Sequence, residues 1–277
     1  MNLRICGLLL LLISIAGAEF ILTSVDVTIR DIKPDGTAKV TENIKIMLVG
    51  EQAQNDYDAG FSSNDISFWS STTKLQDVRY HVNPAKVSIK ELRVLPQPRK
   101  KCNPLQGVCH GELIIQYEIE PLYNDTNGSK TIVRDSGLFF VTKSKPRTTT
   151  YRLNPEALSF ITTPQGNVLL PENVRLTIEL PSNSVVTDLN PTPENVKIDL
   201  PAKLKTISWT DTILVKLSVV FEVEETLEGE VKDFFYNVYL SFYNILTGEH
   251  GWALIAIIVI IVSGYVYITI EKKGRGA

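Results

Sequence analysis

The sequence predicts a mainly β protein: antiparallel β-sandwich ectodomain(s), then a juxtamembrane amphipathic helix and one transmembrane helix. Three observations predict it. Apolar residues alternate with period two through most of residues 19–225, the period turns helical over 226–248, and an uncharged apolar run fills 252–270.

The chain opens with "MNLRICGLLLLLISIAGAE". Arg4 supplies a short positive region, Ile5 to Ile15 is almost wholly apolar, and Ala16 and Ala18 are the small residues a signal peptidase reads. Residues 1–18 therefore read as a secretory signal peptide, with an uncleaved anchor as the alternative. Cys6 would leave with it.

Strand signals follow. "SVDVTIRDI" and "AKVTENIKIML" place Val25, Val27, Ile29 and Val40, Ile44, Ile46 on one face, around the turn "KPDGT". That is a hairpin pattern. Further runs of the same kind are "DVRYHV", "KVSIKELRVL", "ELIIQYEIE", "GLFFVTK", "TTTYRL", "NVRLTIELP", "NVKIDLP", "KTISW" and "TILVKLSVVFEV", and "NPEALSF" suits one or two helical turns. The strand-poor stretch after residue 150 suggests a first β-sandwich domain over 19–150. Residues 151–225 would form a second β unit or complete the first.

Two neighbouring sequons, Asn124-Asp125-Thr126 and Asn127-Gly128-Ser129, lie in one turn-rich loop. Asn124 and Asn127 are glycosylation candidates there, with an ordinary Asn-Gly turn as the alternative.

From 226 to 248 the pattern is an amphipathic, aromatic helix. Val231, Phe235, Val238, Phe242 and Ile245 recur at alternating spacings of four and three. This stripe is a candidate partner or membrane contact. It suits the membrane interface, a partner's helix, or the β domain's own core. Beyond it, "WALIAIIVIIVSGYVYITI" (252–270) would span about 28 Å as a helix, close to the hydrocarbon thickness of a bilayer. Trp252, Tyr265 and Tyr267 sit near its ends, and the tail 271–277 carries Lys272, Lys273 and Arg275. The positive-inside rule then puts the C-terminus in the cytoplasm and the rest outside. The expected localisation is the cell membrane: single-pass, type I, extracellular N-terminal domain.

This topology decides the chemistry of Cys102 and Cys109. Outside the cell thiols oxidise. A gap of six residues fits poorly with zinc, whose cysteines pair two to four apart, and a redox pair is usually C-x-x-C. A disulfide between Cys102 and Cys109 is expected, with His110 a bystander. Asp56, Asp58 and Asp65 in "NDYDAGFSSND" offer hard oxygen ligands without calcium-loop spacing, and a solvated loop is the expectation. Only three histidines exist, and no nucleophile elbow, zincin or phosphate-loop motif is present. The net charge of −3 leaves no basic footprint for nucleic acid. No catalytic residue, metal or cofactor is expected.

"VDVTIRDIKPDGTAKVTENIKI" (25–46) resembles the opening hairpin of uncharacterised prokaryotic membrane proteins with an exterior β-rich domain. "LPSNSVVTDLNPTPENVKIDLPAKLKTISW" is similar to archaeal surface β domains with one C-terminal transmembrane helix. The Ile- and Val-rich composition suits an archaeon, and the resemblance implies no catalytic residue. The functional expectation is a non-enzymatic, membrane-anchored cell-surface protein, a binding, assembly or envelope-structural module. The partners are the lipid bilayer and a protein met through the juxtamembrane helix or ectodomain. The alternatives are an accessory subunit of a membrane complex, such as a secretion or glycosylation apparatus, and an exterior hydrolase.

Overall fold

The structure is a computed structural model that describes residues 19–126, 129–145, 147–193, 196, 199–224 and 227–247. The signal segment 1–18, Asn127, the run 252–270 and the tail 271–277 lie outside the described residues. Among the described residues no helix is long and apolar enough to cross a membrane.

The chain is mainly β. The strands are β1 (Glu19–Arg30), β2 (Ala38–Val49), β3 (Val87–Asn103), β4 (Val108–Pro121), β5 (Tyr123–Thr126), β6 (Ser129–Ile132), β7 (Phe139–Lys145), β8 (Thr148–Leu153), β9 (Ile161–Thr162), β10 (Val168–Glu179), β11 (Ser184–Asn190), β12 (Thr206–Leu214) and β13 (Ser218–Glu224). Helices α1 (Glu51–Ala59) and α2 (Ile66–Thr73) lie between β2 and β3, and α3 (Leu227–Thr247) follows β13.

The larger sheet runs β12-β10-β1-β2-β4-β3 with β9 beside β10, the smaller β11-β13-β8-β7, and β5 pairs with β6. The central strands β1, β2, β4 and β10 bury alternate residues, as β4 does from Cys109 to Pro121. One core draws on both sheets: Val27, Ile29, Ile44, Ile115 and Leu176 from the larger, Tyr151, Val219 and Phe221 from the smaller. The strands after residue 160 enter both sheets, so the halves on either side of residue 150 share one core.

The expectation of purely antiparallel sheets needs correction. β1 and β10 pair in parallel, from Val25 opposite Val174 to Ile29 opposite Ile178. The larger sheet is mixed. Period-two alternation says which face is buried, and is the same for either direction of the neighbour.

Three local readings change as well. "NDYDAGFSSND" is no open loop: it carries the second half of α1, a 3-10 turn over Gly60–Ser62 and Asp65, the N-cap of α2. "DVRYHV" forms no strand, only an isolated bridge between Val82 and Leu158. "TILVKLSVVFEV" breaks at Lys216, whose φ of 50° ends β12 before β13 begins. "NVKIDLP" lies partly outside the described residues, and its described members are in no strand.

Candidate functional site

Three places in the chain concentrate chemistry. The first is the β3–β4 hairpin tip. Asn103 pairs with Val108 there, and Cys102 and Cys109 are joined by a disulfide across it, with Cα atoms 4.1 Å apart. Arg99 on β3 reaches α1: its Nη1 donates to Gln54 Oε1 at 2.6 Å and its Nη2 to Asp58 Oδ2 at 2.7 Å. Nη1 also lies 3.7 Å from Cys109 Sγ. The other end of α1 is held by Gly50 N and Gln54 Nε2, which both donate to the Gly107 carbonyl at 2.9 Å. An open cleft of about 640 Å³ over this hairpin is lined by Glu51, Gln54, Arg99, Asn103 and both cysteines.

The aspartates of the same region have separate partners. Asp56 accepts from Gln52 Nε2, Asp58 pairs with Arg99, and Asp65 caps α2 through Ser67 N at 2.8 Å. They do not converge on one point. His110 pairs with Met47 and Lys100 in the sheet.

The second place is a buried polar cluster that the sequence pattern alone does not announce. Glu42 stands on β2 at an inward position, between Val40 and Ile44, and is fully buried. Its Oε1 accepts from His81 N at 2.8 Å and from the Tyr117 hydroxyl, and its Oε2 accepts from His81 Nδ1 at 2.8 Å. Three donors on one carboxylate compensate for its removal from water. His81 Nε2 makes no hydrogen bond, and Asp77 Oδ1 is 3.9 Å from it. The imidazole lies 5.1 Å from the Phe160 ring, and the His81 carbonyl accepts from Ser159 N at 2.8 Å.

Burial alone would lower the His81 pKa. Asp77 and Glu42 outweigh it and raise the value from 6.5 to about 9, so the imidazole is charged at neutral pH. Burial, then the Glu42 charge, pushes the Tyr117 hydroxyl well above 10, so it remains a donor. Contact with His81 holds Asp77 below its ordinary value despite partial burial. His81 is 1 % exposed and Glu42 0 %, so no solute reaches either. The cluster ties the 77–83 segment to the sheet, and its position suits support rather than chemistry. The one sequence signal was a glutamate at an inward position of an alternating strand.

The third place is α3. Val231, Phe235, Val238 and Phe242 lie on it and are exposed, as are Phe234, Tyr236, Tyr239 and Tyr243. The side chain of Ile245 lies outside the described residues. Phe234 and Phe235 meet edge-on, and Tyr239 stacks with Tyr243 one turn on. Asn124, the described sequon asparagine, is exposed on β5.

No family model matches the chain, and no curated protein matches it. Among solved structures it is similar to leukotriene A4 hydrolase from Saccharomyces cerevisiae. That match has 10 % identity and a TM-score of 0.26, over 74 % of this chain and 29 % of that one. It is also similar to aminopeptidase A from Legionella pneumophila, in complex with aspartic acid. Here identity is 10 % and the TM-score 0.23, over 76 % of this chain and 22 % of that one. The chain thus spans under a third of each. Overlays this loose assign neither a family nor an activity.

Proposed function

We propose that the chain is a membrane-anchored cell-surface protein whose β body binds or assembles outside the cytoplasm without catalysing a reaction. The observation that carries this reading is α3. It exposes eight apolar or aromatic side chains, and only four residues separate its end at Thr247 from the uncharged run 252–270. Contiguous apolar surface of this kind marks a membrane or partner site. The Cys102–Cys109 bond supports an oxidising compartment for the body. Exposure of Asn124 is compatible with glycosylation there. The buried position of Glu42 and His81 gives the most strongly coupled titratable groups a supporting role.

The test combines two measurements on cells expressing the full chain. After alkaline carbonate extraction the protein should remain with the membranes. Protease added to intact cells should remove the body and spare a C-terminal tag. Release by carbonate, or a body protected from the protease, would overturn the reading.

A second reading has its own observation. The four-three spacing of Val231, Phe235, Val238 and Phe242 is also that of a helix seam, which favours an accessory subunit of a membrane complex. Cross-linking in native membranes separates the two: a reproducible adduct of one second protein, lost with Phe235→Ser and Phe242→Ser, would favour the subunit.

A further inference from the structure

We propose that α3 lies flat in the outer interface of the bilayer, with lipid rather than protein covering its apolar arc. The proposal rests on the membrane-anchored reading and names what the exposed face touches.

At about 100° per residue most of the described side chains of α3 divide into three arcs, with half-buried Leu240 and exposed Thr247 between the second and third. With Phe234 at zero, Val238, Val231, Phe242 and Phe235 fall within the next ~100°. Tyr239, Tyr243 and Tyr236 follow at roughly 140° to 200°. Asn244, Asn237 and Ser241 occupy roughly 280° to 340°. Apart from Leu240, aliphatic and phenyl groups thus share one side, and amides and a hydroxyl share another. The phenols lie along one border, each with an apolar ring and a polar tip. That is the arrangement a water–hydrocarbon boundary selects. A helix seam would not select the phenols, since every Tyr hydroxyl would then need a protein partner.

Two further facts point to lipid. The apolar run begins at Trp252, only five residues after α3 ends, so the chain enters the bilayer within ~17 Å of the helix even when fully extended. An element so tethered is at the membrane surface at all times. Next, α3 carries Glu228, Glu230 and Asp233 against the single base Lys232. Anionic headgroups therefore do not draw it in. Insertion of phenyl and aliphatic surface is the remaining force, and it acts equally on zwitterionic lipid.

The experiment places the full chain, with Cys6→Ser, in phosphatidylcholine nanodiscs. Nitroxides are attached at single cysteines replacing Phe235, Val238 or Phe242 on one arc, and Asn237, Ser241 or Asn244 on the other. Collision with oxygen, which concentrates in lipid, is compared with collision with a water-soluble nickel chelate. The apolar arc should favour oxygen several-fold and the amide arc the chelate several-fold. Adding phosphatidylglycerol or salt should change neither ratio as much as two-fold. As a control free of substitutions, a lipid-phase carbene reagent should label the 231–242 peptide of the native chain.

Apolar-arc labels shielded from both reagents, with the peptide unlabelled, would overturn the proposal in favour of a protein cover. Labels open to the chelate on every face would overturn it in favour of a free helix. Both outcomes leave carbonate resistance intact, so they differ from failure of the anchored reading, in which the protein leaves the membrane.

Discussion

The imidazole of His81 and the carboxylate of Glu42 meet at 2.8 Å inside the core, at 1 % and 0 % exposure. A charged pair in that position is costly to split. Replacing His81 by Leu leaves an ionised or newly protonated carboxyl without its charged partner, held only by the Tyr117 hydroxyl and the backbone N–H of residue 81. The loss should be about 3–5 kcal/mol, read from denaturation of the detergent-solubilised chain. The double variant Glu42→Leu with His81→Leu should recover much of it, because both desolvation costs vanish together. A double-variant loss equal to the sum of the two single losses would show that the pair is not coupled.

The same pair sets a pH dependence. The His81 pKa is raised in the folded chain to about 9 from 6.5, by contacts with Asp77 and Glu42 that outweigh burial, while Arg79 opposes them. The folded state thus holds its proton more tightly than the unfolded one. This contribution is complete below pH 6.5 and disappears as pH rises through about 9. Stability should fall across that window, by on the order of 3 kcal/mol at most. In the double variant Glu42→Leu with His81→Leu, which removes both titrating groups, the fall should be absent. A wild-type profile that stays flat from pH 6.5 to 9.5 would contradict a charged His81.

Much of the body was legible because burial imposes alternation. β2 and β8 coincide closely with "AKVTENIKIML" and "TTTYRL", and β1 and β4 extend four or five residues before "SVDVTIRDI" and "ELIIQYEIE". The misreadings share a cause. Alternation in "DVRYHV" reflects side chains packing inward from a coil: Val78, His81 and Val82 are buried without a ladder partner beyond one bridge. α1 buries only Ala53 and Tyr57 among mostly polar residues, so it has almost no stripe to read. The parallel contact of β1 with β10 joins segments about 150 residues apart, and nothing local encodes its direction. In the same way the Glu42–His81–Tyr117 cluster joins three distant segments. Its only local trace was a charge where a valine or isoleucine was expected.

The disulfide joins residues seven apart in sequence. Closing so short a loop stabilises by about 2.5 kcal/mol in the chain-entropy model. Cys102→Ser and Cys109→Ser should each cost about that much, and the double variant no more than either single one. Intact mass of the exported chain should rise by two hydrogens on reduction. Free thiols in that chain would remove the support the bond lends to an exterior location.

Gly111 faces the core from β4 directly beneath Tyr57. A Cβ at Gly111 would stand 2.7 Å from Tyr57 Cε2, well inside contact distance. Tyr57 has little room to retreat. It is fully buried against Trp69, its hydroxyl donates to the Gln97 carbonyl at 2.6 Å, and it accepts from Glu112 N at 3.1 Å. Gly111→Ala should therefore cost about 1–3 kcal/mol through overpacking, although alanine suits a strand better than glycine. The ring is the obstacle, so the cost should depend on it. In a Tyr57→Leu background Gly111→Ala should cost clearly less, a non-additivity readable in a double-mutant cycle. If the two losses simply add, α1 does not rest on β4 through this contact. The hold of α1 on the disulfide hairpin would then rest on hydrogen bonds, those of Arg99, Gln54, Gly50 N and the Tyr57 hydroxyl, rather than on the packing of the ring.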